Sequence, residues 1–373
     1  MDFSFSEEHQ AVADLAKQIL TDQVSPERLK EVEAGQDRVD RRSWAELAKA
    51  NLLGVALPED DGGSGLGFLA AAVVCYEVGR TVAPVPFLAS VVSGALPVAE
   101  FGTAEQKQRL LPGAIGGDVV LSSALVEPGT SPAHPTVRAI ADGDGWRLDG
   151  VKICVPAGMI ADWFLVPART DDAGVGVFLV PSGAPGASRL AEEATDRQIE
   201  ARLELRGVHV PAADVLGDAT GGAAVVDWIV QRTTSAICAM TAGVCESALR
   251  MTAEYTKTRE QFERPIATFQ AVGQRAADAY IDTEAVRLTA WQAAWRLDAG
   301  LPAAAEVAVA KFWAAEGGQR VVHAAQHLHG GIGVDRDYPL HRYFLWAKHL
   351  ELTLGGATAH LLDLGEILAD EPV

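Results

Sequence analysis

Thr258-Arg259-Glu260-Gln261-Phe262-Glu263-Arg264-Pro265-Ile266-Ala267-Thr268-Phe269-Gln270 closes one long helical run and opens another. Apolar residues recur at three- and four-residue spacing on both sides of it, over 229–258 and 270–299, the period of helices that bury one face. Arg259 therefore stands at a helix end, ahead of a turn closed by Pro265, where a positioned guanidinium can fork onto phosphate oxygens. Further helical runs follow over 303–329 and 357–369, and His329-Gly330-Gly331-Ile332-Gly333 lies just past the first of them. Closely spaced glycines let a backbone approach a bulky ligand where a Cβ would clash.

Working back toward the N-terminus, the texture changes twice. Between 119 and 217 short apolar runs (119–125, 146–151, 163–168, 175–180 and 203–210) are separated by Gly, Pro and Asp, which predicts antiparallel β structure. Before that, from Ser6 to Leu111, the helical period returns. A glycine-rich loop from Asp60 to Gly67 interrupts it, and Thr103 with Gln106 forms a capping-box pattern. The expected organisation is α+β, mostly α, with a helical domain at 1–118, a β domain at 119–217 and a second helical domain at 218–373.

Composition narrows the function. A chain of 373 residues, 49% hydrophobic, can bury a large core, and its formal charge of −19 argues against nucleic acid, which needs clustered positive charge. Any anionic ligand must be held by a local basic site. Cys75, Cys154, Cys238 and Cys245 form no CxxC pair, so neither a zinc site nor a disulfide framework is indicated, and Cys238 and Cys245 read as small buried packing residues. His323, His327 and His329 sit at one helix end without a carboxylate at ligand spacing, so no metal is expected. Trp44, Trp291, Trp295 and Trp313 read as core and interface packing. The acidic start of the chain lacks the pattern of a signal peptide, and no apolar run is long enough to span a bilayer; a cytoplasmic protein is the expectation.

Arg259, Phe262, Pro265, Phe269 and Gln270 match a family spacing together. Read with the glycines after His329 and with Tyr338-Pro339-Leu340-His341-Arg342, they resemble the flavin-binding half of the acyl-CoA dehydrogenases, and the likeness extends over essentially the whole chain. The resemblance implies that family's fold: an N-terminal helical domain, a central antiparallel β domain and a C-terminal four-helix-bundle domain. It also implies FAD, with Arg259 reaching the pyrophosphate across a subunit boundary and Phe262 packing on the cofactor. Phe269, Gln270, His327, Gly330, Gly331 and Gly333 belong to the same implied site, His327 replacing a glutamine usual in the family. No G-x-G-x-x-G follows a strand, so the cofactor expectation rests on the resemblance.

The likeness fails where the chemistry would be. Removing an α proton from an acyl-CoA needs a positioned base, and the family's glutamate position in Trp346-Ala347-Lys348-His349-Leu350-Glu351-Leu352-Thr353-Leu354-Gly355-Gly356 is Leu354. The alternative family positions fall near Thr233 and Met240; Glu246 is the best surviving candidate, and Asp227 reads as a first-turn acid favoured by the helix dipole. In the β domain the family's Thr-Glu-Pro and Gly-Ser-Asp region reads Val126-Glu127-Pro128-Gly129-Thr130-Ser131-Pro132, and its Trp-Ile-Thr-Asn reads Cys154-Val155-Pro156-Ala157. The expected role is the base-lacking subunit of an α2β2 acyl-CoA dehydrogenase acting on steroid side-chain thioesters. Its paralogue would supply the base, and electron-transfer flavoprotein would accept the electrons. The alternatives are a self-sufficient homo-oligomer using Glu246, and a flavin-free scaffold or acyl-CoA binder.

Overall fold

The computed structural model describes residues 5–170 and 174–370. The chain gathers into two compact units, one of Met1–Lys30, Ala72–Ala83 and Thr234–Val373, the other of Glu31–Ala71 and Pro84–Thr233. The N-terminal helices are α1 (Glu7–Gln23), α2 (Pro26–Glu33), α3 (Arg41–Lys49), α4 (Gly67–Thr81), α5 (Leu96–Phe101) and α6 (Ala104–Gly116). Their starts follow local chemistry. Ser6 caps α1 by accepting the His9 N–H, and Asp40 caps α3 by accepting from Arg42 and Ser43. The capping box expected at α6 is formed, with Gln106 N–H donating to Thr103 Oγ1 at 3.2 Å and Thr103 N–H to Gln106 Oε1 at 3.0 Å.

The second of these units carries an eight-stranded sheet among the described residues. Its strands are β1 (Leu121–Ser123), β2 (Arg138–Asp142), β3 (Gly145–Val155), β4 (Trp163–Thr170), β5 (Val175–Pro181), β6 (Ala187–Glu193), β7 (Ile199–Pro211) and β8 (Val215–Leu216). The order is β6-β7-β3-β2-β4-β5-β8, with β1 also on β4. Most pairings are antiparallel, but β4 runs parallel to both β1 and β2. β4 and β5 are central and buried, which is why they read as continuous apolar runs. Two strands have no such signal. β6 is a mostly exposed edge carrying Arg189, Glu192 and Glu193, charges that blunt an edge against mispairing. β2 is short and joined to β3 by a two-residue turn at Gly143-Asp144, with Gly143 at φ 64°. Phe164, Val166, Phe178, Val180, Leu203 and Leu205 form the middle of this core.

The other unit is a helical bundle built on α7 (Gly222–Thr258), α8 (Gln270–Asp298), α9 (Ala304–His329), α10 (Leu340–Leu352) and α11 (Ala357–Asp370). Small residues bring its helices close. A Cβ on Gly79 of α4 would lie 2.0 Å from the Met240 carbonyl oxygen, and one on Gly243 of α7 would lie 2.1 Å from that of Tyr76. Cys238 and Cys245 are buried as expected, each thiol pushed up to about 12 by desolvation. One expectation is corrected. α7 begins at Gly222, so Asp227 lies past the first turn and accepts from Gln231 at 2.6 Å instead of serving the helix start. Trp295 is 52% exposed, so it lies outside the core of this unit. α10 was not among the helical runs expected from the sequence; its buried face mixes Leu340, Trp346 and Leu350 with His341 and Arg342. Among the described residues no helix is long and apolar enough to cross a membrane.

Candidate functional site

α7 ends at Thr258, and the chain reverses through a small hairpin, β9 (Glu260–Gln261) and β10 (Arg264–Pro265), whose strands pair Gln261 with Arg264 and Glu260 with Pro265. Ile266 N–H donates to the Arg259 carbonyl at 2.8 Å, so the arginine backbone is pinned while its side chain remains exposed. The turn residues Phe262 and Glu263 both have positive φ, 55° and 65°, values that favour glycine or asparagine. Phe262 is 88% exposed and meets Phe269 edge-on at 6.2 Å, while the Arg264 guanidinium lies 4.2 Å from the Phe269 ring centre.

Phe269 then occupies the N-cap of α8, with no side-chain hydrogen bond there. Val272 and Gly273 N–H donate to the Phe269 carbonyl at 3.1 Å, which leaves Gln270 and Ala271 at the positive end of the helix dipole, directly after the hairpin that carries Arg259 and Arg264, an arrangement that favours an anion. Sequence reasoning missed this contribution. Its signal was Phe269, and not Ser, Thr, Asp or Asn, immediately before Gln270.

α9 brings the other half. His327 is exposed and lines a groove of about 680 Å³ together with Ala271, Arg275, Asp278 and His323, so the start of α8 and the end of α9 share one cleft. Arg320 closes one side of it by forking onto Asp282 at 2.6 and 2.8 Å. The three histidines do not cluster. His329 points inward, stacks on Tyr255 at 4.4 Å, donates from Nδ1 to the Ala325 carbonyl and accepts at Nε2 from the Tyr338 hydroxyl. Burial holds it below the usual histidine range.

The glycines after it have separate reasons. Gly330 adopts φ 65°, ψ −142°, which is essentially reserved for glycine. Gly331 is exposed with open space where a Cβ would be, and Gly333 packs against Gln326 and His329.

Neither base candidate joins this group of side chains. Glu246 is half-buried on α7, and its charge acts on Arg287 of α8, which is itself paired with Glu284. Leu354 sits between α10 and α11 at φ 56°, its carbonyl 3.0 Å from His360 Nε2. The buried Lys311 ammonium donates to the carbonyls of Leu350, Glu351 and Gly355 at 2.8 to 2.9 Å and fixes the same turn. In the sheet unit, Glu127 is buried and fully engaged: it accepts from Lys152 Nζ at 2.5 Å, from the Thr136 hydroxyl and N–H, and from Val137 N–H. The Pro156 carbonyl accepts from Ser122, and Cys154 and Ala157 on either side both have positive φ. Desolvation, helped by Glu200 and Glu192, pushes the Cys154 thiol up to about 11.

Family models for the acyl-CoA dehydrogenase N-terminal, middle and C-terminal domains match residues 6–118, 124–205 and 220–368. The chain belongs to the acyl-CoA dehydrogenase family. Among curated relatives it is 44% identical to acyl-CoA dehydrogenase FadE27 of Mycobacterium tuberculosis (strain ATCC 25618 / H37Rv), covering 100% of both chains. Among solved structures it is 44% identical, with a TM-score of 0.95, to a chain of the ChsE4-ChsE5 complex from Mycobacterium tuberculosis, covering 100% of each chain. A chain of a variant of the Tcur3481-Tcur3483 steroid ACAD is 47% identical with a TM-score of 0.92, covering 98% of each.

Acyl-CoA dehydrogenases are FAD-dependent oxidoreductases, and FAD chemistry supplies their hydride acceptor. The groups on this acyl-CoA dehydrogenase chain suit the phosphate end of such a cofactor. Arg259, the uncapped start of α8 and the exposed backbone at Gly331 could hold a pyrophosphate, and Phe262 offers a free aromatic face.

Proposed function

We propose that this chain is the base-lacking subunit of an FAD-dependent acyl-CoA dehydrogenase that catalyses α,β-desaturation of an acyl-CoA thioester. Its role is to complete an FAD site whose base and flavin-ring contacts lie on a paralogous subunit of an α2β2 assembly. Arg259, Phe262, Phe269, Gln270, His327, Gly330, Gly331 and Gly333 are its contribution. The observation that carries this reading is the division of the chemistry. Anion-binding groups are displayed on exposed surface of the bundle unit, whereas the family's base position is the apolar Leu354 and Glu246 is half-buried on α7.

The likeness to a chain of the ChsE4-ChsE5 complex supports a paralogous partner, and the likeness to a steroid ACAD supports a steroid side-chain thioester as substrate class. A cytoplasmic location and electron-transfer flavoprotein as acceptor belong to the same proposal.

The test is to purify the chain alone and co-expressed with its encoded paralogue, and to measure flavin absorbance per protomer. A colourless single chain and a yellow complex holding about one FAD per heterodimer are expected, as one shared site requires. A fully loaded homo-oligomer that bleaches with an acyl-CoA would refute the reading and direct attention to Glu246.

A further inference from the structure

A second concentration of positive charge lies in the bundle unit, away from the Arg259 turn in sequence and built from different elements. α1, the start of α2, the end of α4, α7 and the start of α10 enclose a cavity of about 170 Å³. Arg80, Arg250 and Arg342 line it, and all three guanidinium groups act on the Tyr343 hydroxyl, which lines it too. Arg80 is 9% exposed and Arg342 4%. Among the described residues no carboxylate lines the cavity, in a chain whose formal charge is −19.

The hydrogen bonding leaves donors for a ligand. Arg80 gives Nε to Glu77 at 2.5 Å and Nη2 to Thr21 at 2.9 Å, so its single charge is balanced by Glu77 while Nη1 stays available as a donor. Arg250 has no ion pair among the described residues. Ser25 and Thr81 add hydroxyls to the wall. The backbone is fixed around them: the Arg80 carbonyl accepts from Ser247 at 2.6 Å and from Tyr343 at 3.1 Å. The next turn carries Val82 at φ 47°. A β-branched residue in the left-handed region is a rare conformation, of the kind concentrated at ligand clamps.

We propose that this cavity is an oxyanion site that takes a phosphate-sized dianion. A tetrahedral anion in this space would take charge-assisted hydrogen bonds from Arg250 and from Arg80 Nη1, and would tie five segments of the unit together. The space suits a phosphoryl group, so the ligand is either free phosphate or the phosphoryl end of a larger ester. This site does not depend on the FAD reading, because it shares no residue with it.

The experiment titrates the intact chain with inorganic phosphate by calorimetry, at ionic strength held constant with chloride. The wild type, Arg250→Gln and Arg259→Gln are compared, because the Arg259 turn is a competing anion site. Saturable one-to-one binding that weakens about tenfold or more in Arg250→Gln, and is unchanged in Arg259→Gln, is the expected result. Arg250 is exposed, so that variant keeps its fold; Tyr343→Phe, losing only a hydroxyl, should weaken binding by a smaller factor. Absence of saturation, equal affinity in Arg250→Gln, or loss of binding in Arg259→Gln instead would overturn the proposal. A parallel titration with phenyl phosphate separates the sources. Exclusion of the ester assigns the site to free phosphate, and tighter binding of the ester assigns it to a phosphoryl terminus.

Discussion

Two consecutive residues at the hairpin tip, Phe262 and Glu263, adopt positive φ where glycine would be relaxed. Each non-glycine residue there costs roughly 1–2 kcal/mol. Phe262 has an evident use for its ring, which stands 88% exposed against Phe269. Glu263 has no contact that compensates among the described residues, so Glu263→Gly should raise unfolding free energy by about 0.5–1 kcal/mol in urea denaturation. A loss of stability would mean that the carboxylate makes an unrecognised contact. The opposite case is Lys152, fully buried against Glu127. Burial pulls Lys152 down to about 8, while Lys152 and the Thr136 hydrogen bonds hold Glu127 below the usual carboxylate range, so both groups are charged at neutral pH. Lys152→Met strands a buried carboxylate and should cost about 3–5 kcal/mol. Adding Glu127→Gln should recover part of that loss, which a double-mutant cycle would measure.

Among the secondary-structure elements, glycine and lysine do what the apolar pattern does not reveal. The α4–α7 crossing depends on Gly79 and Gly243, each facing a carbonyl oxygen across the interface. Gly243→Ala places a methyl 2.1 Å from the Tyr76 oxygen, so the helices must separate, and a loss of about 2–3 kcal/mol in thermal denaturation is expected. The long helices were legible because their period is strong, and the α6 capping box because its two residues act locally. β6 and α10 were not, since an exposed edge strand is polar on both faces and α10 buries a histidine and an arginine. Lys311 ties the end of α10 to the turn carrying Leu354. Its folded-state value is lowered to about 8 by burial, against an ordinary 10.5. Between those values the unfolded chain binds more protons, so this contribution to stability is full above about 10.5 and is lost as pH falls through about 8. Lys311→Met should be destabilised near pH 7 through the three carbonyls it leaves unpaired, and should lack the rise in stability that the wild type shows from pH 8 upward. Parallel pH–stability curves for the two proteins would count against this account.

For the molecule as a whole, the family and the helix-strand-helix order could be read from the sequence, because the Arg259 turn and the Gly330 region keep their spacing. What could not be read was which of those groups face outward, since exposure depends on how α8 and α9 pack. The outward display of Arg259 and the α8 N-terminus on a chain of charge −19 makes this local spot suited to an anion supplied from elsewhere. Stability and cofactor retention should therefore separate. Arg259 is exposed and bonded through its backbone, so Arg259→Gln should change the unfolding free energy of the isolated chain by less than about 0.5 kcal/mol. In the co-expressed complex the same substitution removes a charge-assisted contact to phosphate, worth about 1.5–3 kcal/mol, so FAD should dissociate roughly 10- to 100-fold more readily on dilution. Flavin fluorescence released after gel filtration measures this directly. If the complex keeps its FAD with Arg259→Gln, the pyrophosphate is held by other groups and the role given to this turn fails.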